Sequence, residues 1–146
     1  MVQRVRRASV DSTVDGITER VGEIGPGLCV LVGVTHDDTA VTAQRLAARI
    51  ANLRVFDDDD GVMNRSLLDT GGEALVVSQF TLYGDTTRGR RPGWSAAARP
   101  EVAEPLVAAV VDALEVLGVA VHSGRFRTDM AVELVNDGPV TLIVDC

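Results

Sequence analysis

Apolar residues recur at helical spacing in two stretches of the chain. Between residues 39 and 53 this spacing predicts an amphipathic helix whose apolar face is formed by Ala43, Leu46, Ala47, Ile50 and Leu53. A second helix is predicted over residues 101–117, with Gly118 ending it. Pro105 is compatible with this helix if it lies in the first turn.

The remaining apolar residues form short runs typical of strands. Residues 2–10 and 17–25 have the pattern of half-exposed strands, whereas residues 27–34 are almost continuously apolar and predict a buried strand. Four more strands are predicted, at residues 74–82, 119–124, 130–135 and 140–145. Many strands with two intervening helices predict an α+β fold, with a mostly antiparallel sheet or barrel-like β core and two main helices.

Length and composition support one globular domain. The chain has 146 residues, of which 46% are apolar, so a single domain over residues 1–146 can bury a hydrophobic core. No stretch approaches the roughly 18 apolar residues of a membrane span. The N-terminal segment MVQRVRRASV lacks the long apolar run of a secretory signal. We therefore expect a cytoplasmic protein with no membrane partner.

Neither the cysteines nor the acidic residues predict a metal site. Cys29 lies in the apolar run LCVLVGV and is interpreted as a core residue, and neither it nor Cys146 has a histidine nearby in a recognisable motif. The run FDDDDG, residues 56–61, offers oxygen ligands without the spacing of a calcium-binding loop, and is interpreted as a solvated turn. We expect no metal and no cofactor.

An arginine-rich loop contrasts with the acidic composition. The net charge of −7 argues against a general nucleic-acid coat protein. Arg88, Arg90 and Arg91 nevertheless crowd into DTTRGRRPGW, which ends at Trp94. Guanidinium groups suit bidentate contacts with phosphate, and an arginine or an aromatic ring can stack on an unpaired base. The alternative is an ordinary solvated loop.

The segment SQFTL, residues 78–82, places polar groups at the end of an apolar strand. If strand alternation holds, Ser78 and Phe80 share one face, while Gln79 and Thr81 share the other. Loops and pockets form at such strand ends, so these residues are candidates for a site. The alternative is an ordinary strand end with outward polar residues.

The segment NDGP, residues 136–139, precedes the last apolar strand. Asn, Asp, Gly and Pro each favour turns for their own backbone reasons, so the local interpretation is a turn. A functional interpretation needs support from elsewhere in the chain.

Together these segments resemble the D-aminoacyl-tRNA deacylase family. SQFTLYGDTTRGRRPGW and LVNDGPVTLIVDC stand in the order and spacing of the family's motifs, as do QRVRRASV, GLCVLVGV and NRSLLDTGG, so the similarity covers nearly the whole chain. The resemblance implies an ester hydrolase for chiral proofreading, which cleaves D-aminoacyl-tRNA into free D-amino acid and tRNA and rejects L-aminoacyl-tRNA. It also implies a homodimer whose active sites each join the SQFT segment of one subunit to the Gly-Pro of the other.

The resemblance assigns the chirality check to Gly138 and Pro139. In the family this peptide bond is cis, and its two carbonyls project into the partner's pocket. Such carbonyls would hold the α-amino group of a D-amino acid and obstruct the mirror-image placement. Arg4 matches the family's first-strand arginine and is expected to orient the Gly-Pro segment, the alternative being an exposed arginine on an edge strand. With Phe80, these residues form the expected binding set for the 3′ end of D-aminoacyl-tRNA.

The same resemblance makes Ser78, Gln79 and Thr81 the catalytic segment. A threonine hydroxyl is a weak nucleophile without a base, and SQFTL contains no His, Lys or carboxylate. We therefore expect backbone N–H groups around Phe80 and Thr81 to stabilise the oxyanion, with the ribose hydroxyl beside the ester helping to activate water. The three side chains would position groups more than react.

Two other functions fit the same motifs. One is a non-catalytic module that binds tRNA ends, and the other is a sister deacylase for small L-aminoacyl-tRNA. Glycyl-tRNA hydrolysis is an expected side activity, because glycine has no side chain to fail a chirality check.

The chain departs from the family pattern at two places. Arg127 and Thr128 stand in GRFRTDM where the family has a small Gly-Ala pair, which would alter the pocket rim or provide an arginine for the RNA. Trp94 replaces the more usual phenylalanine and keeps an aromatic ring there.

Overall fold

The computed structural model describes residues 1–146 and forms one mixed α+β fold. In chain order its elements are β1 (Val2–Val14), β2 (Ile17–Ile24), β3 (Gly27–Val32), α1 (Ala40–Asn52), β4 (Phe56–Asp57), β5 (Met63–Arg65), α2 (Leu67–Thr70), β6 (Glu73–Ser78), a 3₁₀ turn (Phe80–Tyr83), α3 (Pro100–Val116), β7 (Ala120–Ser123) and β8 (Asp129–Leu142). Both long predicted helices are confirmed, and α2 is an additional short one.

The first strand is the centre of the sheet. Along one edge β1 pairs antiparallel with β3 and then with β2, and along its other edge it pairs with β8. Its length of 13 residues makes this possible, because β2 and β3 each use only part of it. Arg4 therefore lies on an inner strand, and the alternative of an edge-strand arginine is wrong.

The other half of the sheet is parallel. β3 pairs parallel with β6, and β6 pairs parallel with β7. Three of the five strand pairs in this sheet are antiparallel, so the expectation of a mostly antiparallel sheet is confirmed, but its parallel part was not predicted. Because parallel strands end at the same side of a sheet, the carboxyl ends of β3 and β6 lie together, where ligand sites commonly form.

The sheet curves until β2 and β7, the strands at its two edges, nearly meet, which agrees with the expected barrel-like β core. A Cβ atom at Gly22 in β2 would lie 3.2 Å from the carbonyl oxygen of Ser123 in β7. Inside this nearly closed barrel lies a core of seven buried residues: Val5, Ala8, Val10, Ile24, Cys29, Leu75 and Val77. The placement of Cys29 in the core is confirmed, and burial raises the pKa of its thiol to about 11.

The two long helices cover the outer face of the barrel wall. Ala47 and Ile50 of α1 and Leu114 of α3 are fully buried against Leu28 and neighbouring strand residues. β3 and β6 are therefore buried on both faces, which explains why their sequences are almost continuously apolar.

Each helix begins at a residue that suits helix initiation. Thr39 caps α1 through a capping box with Thr42, and Pro100 occupies the first turn of α3. Because α3 starts there, Pro105 falls inside the helix and not in its first turn as expected. Gly118 follows α3 with φ +96°, a left-handed conformation that glycine adopts without a steric penalty.

The strands predicted at residues 130–135 and 140–145 form a single strand in the structure. β8 runs without a break from Asp129 to Leu142, and it carries Gly138 and Pro139 within it. The predicted turn is replaced by irregular pairing with β1, whose register shifts between Gln3 and Val5 and between Val5 and Arg7. No helix in the structure combines the length and the apolar character that crossing a membrane requires.

Candidate active site

The SQFTL segment leaves the sheet one residue after Ser78. Gln79 donates its backbone N–H to the Val32 carbonyl at 2.7 Å, and the chain then closes one 3₁₀ turn over Phe80–Tyr83. The expected strand through residue 82 was therefore wrong, and the alternation of side chains ends at Ser78. A helical turn offers no internal acceptor to its first N–H groups, so those of Phe80 and Thr81 start the turn with free bonding capacity.

Thr81 is exposed, and its side chain is hydrogen-bonded only to Gln79. Its hydroxyl oxygen accepts a hydrogen bond from the Gln79 side-chain amide. No histidine, arginine or carboxylate is bonded to either side chain, so the structure provides no base that would convert the hydroxyl into a nucleophile. The amide instead fixes the direction of the hydroxyl.

A cavity of about 640 Å³ opens beside this turn. Ser78, Gln79 and Phe80 form one wall of it, and Trp94 and Phe126 contribute to others. The Phe80 and Trp94 rings meet edge to face, with centroids 5.2 Å apart and planes at 68°. The rest of the lining is mainly aliphatic, with alanines and a proline from the start of α3 and the residues just before it, and valines from β3 and β6. The volume lies within the range of pockets for small organic ligands.

A smaller cavity of about 220 Å³ lies under the C-terminal residues and contains none of the predicted site residues. Tyr83 lines it, and burial, followed by the nearby charges of Asp38 and Asp145, raises the pKa of this phenol. The larger cavity is therefore the candidate site. No cluster of three or more His, Cys, Asp or Glu side chains converges anywhere in the chain to hold a metal ion.

Gly138 and Pro139 are exposed and line neither of these cavities. Their peptide bond is cis, and Gly138 has φ +123°, a conformation that side-chain-bearing residues rarely adopt. A Cβ atom there would lie 2.9 Å from Val140 Cγ2 and 3.0 Å from the Val140 nitrogen. The backbone at this position consequently requires glycine.

Arg4 connects the Gly-Pro segment to the sheet and to the β4–β5 hairpin. Its guanidinium is almost completely buried and donates from Nε to the Asp137 carbonyl at 3.0 Å, and from Nη1 to the Val55 carbonyl at 2.7 Å. It also pairs with the carboxylates of Asp57 at 3.3 Å and Asp137 at 3.4 Å. The structure thus places Arg4 directly against the residue that precedes Gly138.

Arg88, Arg90 and Arg91 project from an exposed loop that is closed at its base. Asp85 and Gly93 exchange two backbone hydrogen bonds of 2.8 Å. The Asp85 carboxylate accepts hydrogen bonds from the hydroxyl and N–H of Thr87, which lower its pKa. All ion pairs of the chain involve other side chains, so the three guanidinium groups are available to a ligand.

Sequence reasoning missed Asp57 and the cluster of aromatic rings. Asp57 was assigned with its neighbours to a solvated turn, and only the fold brings it to Arg4. The aromatic cluster had a signal in composition. The chain has only three Phe, one Tyr and one Trp, and Phe80, Trp94 and Phe126 line the same cavity.

Comparisons with known proteins agree over the whole chain. The profile of a family described as D-Tyr-tRNA(Tyr) deacylase matches residues 1–145. A protein named D-aminoacyl-tRNA deacylase from Symbiobacterium thermophilum is 58% identical over 145 residues, which cover 99% of this chain and 93% of that protein. One of the same name from Thermus aquaticus is 56% identical, with the same coverage of both chains.

Two solved structures share the fold. One, titled c-Myc DNA Unwinding Element Binding Protein, is 39% identical, covers 97% of this chain and 93% of its own, and superimposes with a TM-score of 0.86. The other, titled as a probable eukaryotic D-amino acid tRNA deacylase, covers 94% of this chain and 93% of its own, with a TM-score of 0.78. At 16% identity it supports the fold alone.

Proposed function

The chain belongs to the D-Tyr-tRNA(Tyr) deacylase family and hydrolyses the ester bond of D-aminoacyl-tRNA, and we propose that the reaction takes place in the cavity beside Ser78, Gln79 and Phe80. The observation that carries the activity is the 58% identity, over 99% of the chain, to a protein named D-aminoacyl-tRNA deacylase. The cavity adds a place for the aminoacyl end of the substrate, and we expect the cytoplasm to be where the protein meets it.

The 3₁₀ turn supplies the electrostatic part of the mechanism. Attack of water on the ester carbonyl creates an oxyanion, which N–H groups fixed before the reaction stabilise best. The N–H groups of Phe80 and Thr81 begin the turn and are held by the Gln79–Val32 hydrogen bond behind them. With no protein base beside Thr81, the ribose hydroxyl next to the ester assists the removal of a proton from the attacking water.

Chirality is checked by Gly138 and Pro139 of a second subunit. Two rigid carbonyls can accept hydrogen bonds from the α-amino group of a D-amino acid, whereas an L-amino acid would direct a different substituent toward them. These residues are exposed and line neither of the two cavities described above, which favours delivery to a partner's site. A symmetric homodimer performs this exchange twice, once for each site.

The arginine loop holds the RNA. Arg88, Arg90 and Arg91 are unpaired, exposed and next to Trp94, which lines the cavity. In a chain of net charge −7 they give the polyanionic substrate a local positive surface. The loop therefore binds the tRNA backbone beyond the reacting nucleotide.

Purified protein incubated with D- and L-tyrosyl-tRNA tests the function directly. We expect the D-ester to be cleaved faster by on the order of 10³-fold or more, because fixed polar acceptors discriminate strongly against a substrate that leaves them unpaired. Release of labelled tyrosine measures both rates against the uncatalysed reaction. Binding without cleavage of either ester would indicate a tRNA-end-binding module, and cleavage of small L-aminoacyl esters alone would indicate the sister activity.

Thr81→Ala is expected to keep turnover within about tenfold of wild type, since the hydroxyl contributes a single neutral hydrogen bond worth about 1 kcal/mol. Single-turnover hydrolysis of D-tyrosyl-tRNA measures the chemical step without product release. Thr81→Ser, which keeps the hydroxyl, is the matched control. A loss of several orders of magnitude in the alanine variant alone, with substrate binding intact, would identify Thr81 as a nucleophile.

A further inference from the structure

Arg127 has a backbone conformation that arginine disfavours. Its φ is +58°, in the left-handed region, where residues with a side chain are strained. The residues on either side are held in place: the Thr128 hydroxyl donates to the Arg125 carbonyl at 2.9 Å and accepts from the hydroxyl of the buried Ser12 at 2.8 Å. Strain of this kind tends to persist where a side chain has a function.

Arg127 is also the one charged residue that lines the candidate active-site cavity. Its neighbour Arg125 pairs with Glu19 on the surface, whereas Arg127 takes part in no ion pair or hydrogen bond. Arg127 is exposed, so its guanidinium lies at the rim of the cavity. No carboxylate of the same chain forms an ion pair with it there. A positive charge without a partner at the rim of an apolar cavity favours an anionic group on the ligand.

Only one part of the substrate near the ester is anionic. The α-amino group is a cation that Arg127 would repel, and the ester and ribose are uncharged. The phosphate on the 5′ side of the terminal adenosine is the nearest anion, and a guanidinium binds phosphate through two parallel hydrogen bonds. We propose that Arg127 binds this phosphate and so positions the terminal nucleotide for hydrolysis, an inference that rests on the proposed function.

Two short esters separate this contact from the rest of the RNA. Adenosine carrying D-tyrosine on its ribose has no phosphate, and the same ester of adenosine 5′-monophosphate has one at the 5′ position. We expect the wild-type protein to have a KM about tenfold lower for the phosphorylated ester, since a charge-assisted contact at an exposed cavity rim changes affinity by on the order of tenfold. In Arg127→Gly the KM of the unphosphorylated ester divided by that of the phosphorylated ester should fall from about ten to about one.

Glycine is the informative replacement because it accepts the left-handed backbone without strain. Arg127→Lys keeps the charge without the planar fork and should retain part of the preference. Arg125→Ala removes a nearby surface arginine and should keep the wild-type ratio. Substituting alanine for Arg88, Arg90 and Arg91 together should raise KM for intact D-aminoacyl-tRNA and flatten its salt dependence, while the ratio for the two short esters stays as in wild type.

Binding provides a readout independent of catalysis. Calorimetric titration with adenosine 5′-monophosphate and with adenosine should give about tenfold tighter binding of the monophosphate to wild type, and equal binding of both to Arg127→Gly. Equal affinities in wild type, or a phosphate preference that survives in Arg127→Gly, would overturn the proposal. Failure to hydrolyse either D-ester while the monophosphate preference depends on Arg127 would count against the proposed function and leave the phosphate contact in place.

Discussion

Gly138→Ala is expected to lower kcat/KM for D-aminoacyl-tRNA by about 100-fold, equivalent to about 2.7 kcal/mol of lost transition-state stabilisation. Gly138 has φ +123°, and an added Cβ would lie 2.9 Å from Val140 Cγ2 and 3.0 Å from the Val140 nitrogen. The segment must shift to relieve these contacts, and its two carbonyls shift with it. Steady-state hydrolysis of D-tyrosyl-tRNA measures the loss, and thermal unfolding establishes how much of the variant is folded.

Gly16→Ala is the matched control for this change. Gly16 lies in the turn between β1 and β2 with φ +78°, and a Cβ there would meet no atom within 4 Å. Alanine at Gly16 therefore meets a left-handed backbone penalty of about 1 kcal/mol, without a collision and without a connection to the Gly-Pro segment. Wild-type kcat/KM in folded Gly138→Ala would contradict the assignment of these carbonyls to the substrate.

Arg4→Ala is expected to reduce both stability and selectivity. Removing the guanidinium leaves the Asp137 and Val55 carbonyls without their donor and separates the carboxylates of Asp57 and Asp137 from their shared cation. Because Arg4 is buried while the two carboxylates are partly exposed, the main cost is that of two carbonyls left without a donor, about 2 kcal/mol of unfolding free energy. Because Arg4 also orients the residue before Gly138, the ratio of D- to L-tyrosyl-tRNA hydrolysis should fall by about tenfold or more, as expected when a positioning hydrogen bond to a charged group is lost.

Arg7→Ala tests whether any arginine of β1 would have this effect. Its side chain is 64% exposed and forms one ion pair, with Glu133. Such surface pairs contribute at most about 1 kcal/mol, so stability and selectivity should stay near wild type.

A second variant, Arg4→Lys, keeps the charge but cannot serve four partners in different directions. If its selectivity equals that of wild type, Arg4 acts through charge and packing and does not orient the Gly-Pro segment.

Local periodicity predicted the long helices closely. The helix predicted over residues 39–53 is observed at Ala40–Asn52 with Thr39 and Leu53 as caps, and the one predicted over 101–117 is observed at Pro100–Val116. An amphipathic pattern of three or four turns is decided by the side chains of the helix itself. Ends marked by Thr, Pro and Gly add signals of the same local kind.

Strand pairing was predicted less well because it depends on residues distant in the chain. The apolar runs of β3 and β6 indicated burial, and continuous runs of this sort are typical of parallel strands buried on both faces. Their partners were not encoded locally, so the parallel half was missed. The strand predicted through residue 82 failed for a related reason, since the Val32 carbonyl of another strand binds the Gln79 N–H where the 3₁₀ turn begins.

The sequence by itself determined the two long helices, most strands and, through its motifs, the family, and it indicated which residues are candidates for the site. Tertiary structure alone decided that Ser78, Gln79 and Phe80 share one cavity with Trp94, Phe126 and Arg127, and that buried Arg4 joins Asp57 to the Gly-Pro segment. The physical reason is the range of the interactions. Helix periodicity, caps and glycine conformations act over a few neighbouring residues, whereas a cavity wall or a buried guanidinium is satisfied by groups that only the folded barrel brings together.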